Sequence, residues 1–255
     1  LNHLHDEIGV TSDFVECDRF GNVDPDAISK AIKPNTKMIV VNHVSNITGA
    51  VQDMHAIGKI AKDHGLLFVA DVSQSAGSVP VDVKAWNADF VAFTAHKSLY
   101  GVQGTGGFYI REGLDIKPLK TGGTGSKSHI LYQPQDMPGY YEAGTPNVPG
   151  ILALNAGLDW IERTGFSSIH LHKKKLYKKV VDELTGYHGV TLYTDPEKSS
   201  AGVISFNIGD MAPEEVSYML ESSFAIKVRS GLHCAPLIHK YLGTHPWGTV
   251  RMSHS

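Results

Sequence analysis

Three side chains with chemical potential sit at informative places in this sequence. Asp71 directly follows the apolar run Leu66-Leu67-Phe68-Val69-Ala70. Lys97 ends Thr94-Ala95-His96-Lys97, just after the run Phe90-Val91-Ala92-Phe93. Cys234 lies in Arg229-Ser230-Gly231-Leu232-His233-Cys234-Ala235-Pro236. Taken singly, each has an ordinary fate: a lysine at a strand end is usually solvated, an Asp often caps a helix, and a Cys is usually a small buried hydrophobe. Their surroundings argue for more. A lysine at the end of an apolar strand is partly desolvated, which lowers its pKa and makes the amine nucleophilic. Arg and His beside Cys234 favour the thiolate, the reactive form of a thiol. Cys17 stands between Glu16 and Asp18, whose charges disfavour thiolate, and is read as inert.

The pairing of Asp71 with Lys97 is more telling than either residue. Ligands of open α/β sheets bind outside the carboxyl ends of the strands. A lysine and a carboxylate on neighbouring strand ends are what pyridoxal 5'-phosphate requires: an amine for attachment and an acid that keeps the pyridinium nitrogen protonated. A third polar strand end, Asn42-His43-Val44-Ser45-Asn46, converges on the same face. Gly122-Gly123-Thr124-Gly125-Ser126 resembles a phosphate cradle but lacks the following helix, and reads as a flexible loop. The fourteen histidines show no metal-binding spacing. His170, His172, His188 and His239 read as surface residues.

The elements that must position these groups alternate strand and helix. Residues 37–41, 66–70 and 90–93 lack strict alternation and are expected as parallel strands covered on both faces. Residues 53–64 carry Ile57, Ile60 and Ala61 at helical spacing, with Gly65 as the stop. A further strand is expected at 106–110, and most of 101–150 reads as loop. A helix at 149–163 presents Ile151, Leu154, Leu158 and Ile161 as one stripe, and a second at 167–184 is Lys-rich on its outer face. From about 189 the pattern becomes α+β: a half-exposed alternating strand at 203–208, a helix at 213–223 and a short strand at 226–228. The expected fold is α/β, with a mainly parallel-sheet large domain at 1–165 and a smaller α+β C-terminal domain at 166–255.

Composition narrows the alternatives. With 255 residues, 42% hydrophobic and 19% charged, the chain is globular rather than disordered. A net charge of −3 argues against general nucleic-acid binding. Two cysteines exclude a disulfide framework and a four-cysteine zinc site. No apolar run reaches membrane-spanning length. The chain starts at Leu1 without a leader-like segment and stops within a strand-like run, so it reads as a fragment of a longer protein whose removed N-terminus could have carried a targeting signal; the expected location is cytoplasmic.

Six segments in order resemble one family. His43-Val44-Ser45-Asn46 with Gly49, Asp71-Val72-Ser73-Gln74, Thr94-Ala95-His96-Lys97 with Tyr100-Gly101, Ala143-Gly144-Thr145-Pro146-Asn147, Arg229 to Ala235, and Gly248-Thr249-Val250-Arg251-Met252-Ser253 are similar to the motifs of class V aminotransferase-like pyridoxal-phosphate enzymes. Cys234 resembles the reactive cysteine of the group II-like cysteine desulfurases. The resemblance implies fold type I. It implies that Lys97 carries pyridoxal 5'-phosphate and shuttles protons, that Asp71 pairs with the ring nitrogen, and that Gln74 bonds the ring oxygen. Thr94 and His96 would hold the phosphate, joined by Thr145 from a second subunit. Asn46 and Arg251 would hold the substrate carboxylate, Arg229 would lie near the substrate, and Cys234 would take sulfur from L-cysteine as a persulfide. A homodimer and a sulfur-acceptor protein are implied as partners, with neither nucleic acid nor membrane. Selenocysteine lyase, class V aminotransferase and a catalytically silent fragment are the alternatives. The family's N-terminal part and last helices have no counterpart here, and Leu232 stands where group II members often have His.

Overall fold

Short β-rich runs bounded by turn residues form two four-stranded sheets in the computed structural model, which describes residues 2–123, 125, 127, 129–198 and 201–254. Two short helices, α1 (Asn2–Ile8) and α2 (Pro25–Ala31), precede the first sheet. That sheet contains β1 (Met38–Asn42), β2 (Leu67–Asp71), β3 (Phe90–Thr94) and β4 (Gly106–Ile110), in that spatial order. β1, β2 and β3 run parallel, and β4 is antiparallel. The register pairs Asn42 with Asp71 and Asp71 with Ala92, so the three carboxyl ends lie side by side.

Helix α3 (Met54–Asp63) links β1 to β2. Asp53 caps it by accepting the Ala56 N–H at 2.9 Å, and Gly65, at φ +64°, turns the chain out of it. Its buried face of Met54, Ile57, Gly58 and Ala61 packs with Ile39, Phe68, Ala70, Val91 and Trp86. A Cβ on Gly58 would overlap the Trp86 carbonyl, so only glycine permits this approach. Full burial of a side chain such as Ile57 or Phe68 contributes about 1.5–3 kcal/mol.

The expectation of strands covered on both faces is corrected. Met38 and Val40 remain 46% and 57% exposed while Ile39 is buried. Burial alternates along an uninterrupted apolar run because, among the described residues, α3 and its neighbours cover only one face.

Helices α4 (Val148–Thr164) and α5 (Phe166–Thr185) meet at Gly165, whose φ of +86° breaks the chain direction between them. The expected apolar stripe of α4 is not its buried face: Ile151 and Leu158 are exposed, and Gly150 and Gly157 are buried. Gly157 sits so close to the Leu99 carbonyl that a Cβ would overlap it. Backbone approach, not apolar area, decides how this helix docks. On α5 the lysines do not all face outward. Ile169, Lys173, Tyr177 and Val181 form one buried i, i+4 stripe.

The second sheet has the order β5 (Val190–Leu192), β6 (Val203–Ile208), β8 (Thr249–Ser253), β7 (Arg229–Gly231), all antiparallel. Helix α6 (Pro213–Phe224) leads towards β7, and α7 (Pro236–Tyr241) follows it. Tyr177, Val181, Ile204, Phe206, Val216 and Val250 form the core here. Two expectations change. β6 is central, so residues 203–206 are all buried rather than alternating. Its one hydroxyl there, Ser205, donates to the Ile47 carbonyl at 2.5 Å, back at the β1 end. The strand expected at 226–228 begins instead at Arg229, because β8 offers pairing only to residues 229–231.

Candidate active site

Segments that follow β1, β2 and β3 meet the second sheet around a cavity of about 440 Å³ lined by Asn46, Gln74, Lys97, Arg229, Cys234 and Arg251, among others. Lys97 and Gln74 arrive from the ends of β3 and β2, and Asn46 from the loop after β1. Arg229 opens β7, and Arg251 is its register partner on β8. Six of the expected site residues therefore share one space.

Asp71, Thr94 and His96 stand at the adjoining strand ends. Asp71 Oδ1 accepts the Ser73 N–H at 2.8 Å, and Thr94 Oγ1 pairs with His96 Nδ1 at 2.8 Å. Burial holds the Lys97 pKa below the usual lysine range, opposed by the Asp71 carboxylate and reinforced by the Arg251 charge. The amine is thus closer to its neutral, nucleophilic form. Thr145 is different: it is exposed and does not line the cavity of its own chain. Its neighbour Asn147 caps α4 by accepting the Gly150 N–H at 3.2 Å.

The cysteine turn is built from strain and clamps. His233 and Cys234 both have left-handed backbones, φ 48° and 64°. Asn46 Nδ2 donates to the His233 carbonyl at 2.8 Å, and Arg251 Nη1 donates to the Asn46 carbonyl at 3.2 Å. The Asn46 amide, expected at a substrate carboxylate, therefore already directs one donor to the turn. Arg229 Nη2 lies 3.8 Å from Cys234 Sγ. Cys234 is exposed. Burial and then the Asp18 charge raise the Cys17 thiol, in keeping with its inert reading.

Several neighbours escaped the sequence. Lys173 is 2% exposed, lines the cavity and donates to Ser98 Oγ at 3.2 Å. Its place on the Ile169–Tyr177–Val181 stripe was the available signal. His233 donates through Nε2 to the Thr249 carbonyl at 2.9 Å. Its Nδ1 is buried without a partner, and burial helped by the Arg251 charge pushes its pKa to about 4. His239, read as a surface residue, is fully buried. His43 turns away from the polar cluster into the core, edge-on to Trp86 at 4.6 Å, and burial takes its pKa to about 4. Thr124 and Ser126 of the glycine-rich loop lie outside the described residues, and Gly122 and Gly123 are exposed. Among the described residues, no group of three or more His, Cys, Asp or Glu could hold a metal, and no helix is long and apolar enough to cross a membrane.

The donor set fits a pyridoxal phosphate group. A partly buried amine lies within reach of a carboxylate's charge, an amide lines the cavity, and a hydroxyl–imidazole pair stands at the strand ends. Arg251 Nε is buried with no partner, leaving the cavity a donor to satisfy.

Comparison with known proteins points the same way. The aminotransferase class-V family profile matches residues 1–255. A probable cysteine desulfurase of Methanothermobacter thermautotrophicus is 39% identical over 252 residues, 97% of this chain and 63% of that protein. One from Pyrococcus abyssi is 38% identical, over 96% of this chain and 61% of that protein. Among solved structures, the apo cysteine desulfurase from Thermococcus onnurineus NA1 superimposes with a TM-score of 0.82 at 37% identity, covering 99% of this chain and 63% of that one. The cysteine desulfurase CsdA (S-sulfonic acid) from Escherichia coli gives 0.88 at 26% identity, covering 100% and 63%. The chain thus spans about three fifths of the length of these relatives.

Proposed function

We propose a function from one premise: the chain belongs to the aminotransferase class-V family. The activity is that of a pyridoxal-phosphate-dependent cysteine desulfurase, which converts L-cysteine to L-alanine and leaves the sulfur as a persulfide on Cys234. The observation that carries this is an exposed thiol, with a guanidinium 3.8 Å away, opening on the cavity that also holds Lys97.

Pyridoxal 5'-phosphate, when bound, supplies an electron sink that stabilises negative charge at the substrate α-carbon. Lys97 would hold it through the amine, Asp71 would pair with its ring nitrogen, Gln74 with its ring oxygen, and Thr94 with His96 would take the phosphate. Thr145, exposed and outside its own cavity, would serve the phosphate of a second copy, which makes the working unit a homodimer. Residues 1–165 form the cofactor-binding domain and 166–255 the smaller domain.

Arg251 and Asn46 would orient the substrate carboxylate, a task suited to a planar fork of N–H donors. The Lys97 amine, when free of the cofactor and kept towards its neutral form by its lowered pKa, would remove the α-proton and hold it at Nζ. Arg229 stabilises the Cys234 thiolate. That thiolate attacks the substrate Sγ: the S–S bond forms as the Cβ–Sγ bond breaks, the bonding pair stays with Cβ, which takes up one proton, and the α-carbon regains the proton held at Lys97 Nζ to give alanine. An acceptor thiolate then attacks the outer sulfur, the S–S bond to Cys234 breaks and the Cys234 thiolate is regenerated; the acceptor would be a protein of the cytoplasm.

The test uses the protein at the full length of its relatives, loaded with pyridoxal 5'-phosphate and given L-cysteine. Peptide mass spectrometry is expected to find one added sulfur on Cys234, with alanine released. An unmodified Cys234 in a cofactor-loaded protein that turns over another amino acid would overturn the reading in favour of transamination or a related reaction.

A further inference from the structure

We propose that His239 is a positioning residue for Cys234, an inference that rests on reading Cys234 as the nucleophile. The turn between β7 and α7 places two successive non-glycine residues in the left-handed region. Such a backbone is strained in a non-glycine residue and persists only where its surroundings over-determine it. The critical peptide plane joins Leu232 to His233. Flipping it would return His233 to negative φ, swing the Leu232 carbonyl away and redirect Cys234.

Two donors hold that carbonyl. The Ala235 N–H reaches it at 2.9 Å and His239 Nε2 at 3.2 Å. The first belongs to the turn itself and moves with it. The second comes from the last turn of α7, and it is the side-chain donor that opposes the flip. A carbonyl only accepts, so Nε2 carries the hydrogen and Nδ1 accepts from the Thr244 hydroxyl, 2.7 Å away. Burial keeps the ring's pKa below the ordinary histidine range, in keeping with this neutral tautomer.

The backbone of His239 is tied to the same segment as its ring. Thr244 N–H and His245 N–H both donate to the His239 carbonyl, at 2.9 and 3.1 Å, and Gly248 N–H donates to the Thr244 carbonyl. This 244–248 turn feeds β8, which carries Arg251. One buried imidazole therefore ties the thiol's turn to the segment that leads into β8. Aliphatic packing of the same volume would leave the Thr244 hydroxyl without its imidazole partner and the carbonyl held by the Ala235 N–H alone.

The test uses the cofactor-loaded full-length protein and three variants: His239→Ala, His239→Gln and Thr244→Val. The main readout is the pH profile of Cys234 alkylation by iodoacetamide, quantified by peptide mass spectrometry with Cys17 as internal reference. His239→Ala is expected to move the Cys234 profile to higher pH and to lower kcat by about tenfold to a hundredfold. KM for L-cysteine, the cofactor's visible absorbance and the Cys17 profile should hold. His239→Gln, which keeps an N–H within reach, should recover most of both losses. Thr244→Val should shift the profile in the same direction by less, and it carries the test if His239→Ala does not fold. A wild-type alkylation profile in a folded His239→Ala or Thr244→Val variant would overturn the proposal. So would a loss that glutamine fails to rescue while melting temperature, absorbance and KM change with it. Because alkylation needs no turnover, a shifted profile in a protein that forms no persulfide would leave the positioning role standing and remove only the desulfurase reading.

Discussion

Lys97 and Cys234 face one cavity from two kinds of backbone. Lys97 follows β3, whose neighbour β2 fixes its register through regular parallel pairing. Cys234 sits on a turn with two left-handed residues, held by Asn46, His233 and His239 through carbonyl contacts. The first position is set by the sheet and inherits its stability. The second is set by a few polar side chains and can be loosened without unfolding anything. Perturbations should therefore separate the amine's half of the site from the thiol's half.

The largest effect is expected at the amine. Lys97→Ala should abolish turnover and remove the visible absorbance of bound cofactor. Unaltered absorbance in that variant would mean the amine half has been misassigned. Next, Cys234→Ala should keep the absorbance and lose desulfuration by several orders of magnitude, as when a catalytic nucleophile is deleted. Full desulfuration of L-cysteine by that variant would move the nucleophile elsewhere.

Acid should weaken both halves. His43 in the first core and His233 in the cysteine turn have folded pKa values of about 4, below the unfolded value of about 6.5. The unfolded chain binds more protons between these values. Stability is therefore full above about pH 6.5 and falls as pH drops towards 4, by up to about 3 kcal/mol per histidine. Denaturant unfolding across that range checks this, and His43→Phe should flatten the curve by one histidine's share. The smallest expected effect is Asp53→Ala, which removes the α3 cap at a cost of about 1 kcal/mol. It should lower the melting temperature and leave the Cys234 alkylation rate unchanged. A change in that rate would show that the two halves are less separable than their construction implies.

The sequence revealed the amine half more fully than the thiol half, for physical reasons. Short apolar runs ending in Asp71 and Lys97 mark strand ends in any α/β arrangement, and α3 carries its cap and stop in Asp53 and Gly65. Arg229-Ser230-Gly231 contains no strand former, and it becomes β7 only because β8 pairs with it. Lys173 hides in a run of three lysines, and only the phase of α5 sets it apart from its neighbours. His239 lies on a six-residue helix, too short to show a periodic face. The exposed side of β1 was unreadable because an apolar run looks the same whether one face or two are covered.

The Ser205 hydroxyl is fully buried at the centre of β6, yet it bonds to the Ile47 carbonyl in the loop that follows β1 of the other sheet. Opening the two sheets like a clamshell would have to break that bond in a place water does not reach, where a stranded polar group costs about 1–3 kcal/mol. Val44, Val79 and Ala201 would lose their shared contact in the same movement. The two halves are therefore expected to tumble as one body, with ligand entry accommodated by side chains and turns at the cavity rim. Small-angle scattering curves recorded with and without bound cofactor should superimpose, and a ligand-dependent change in radius of gyration would show a hinge that this hydroxyl fails to lock.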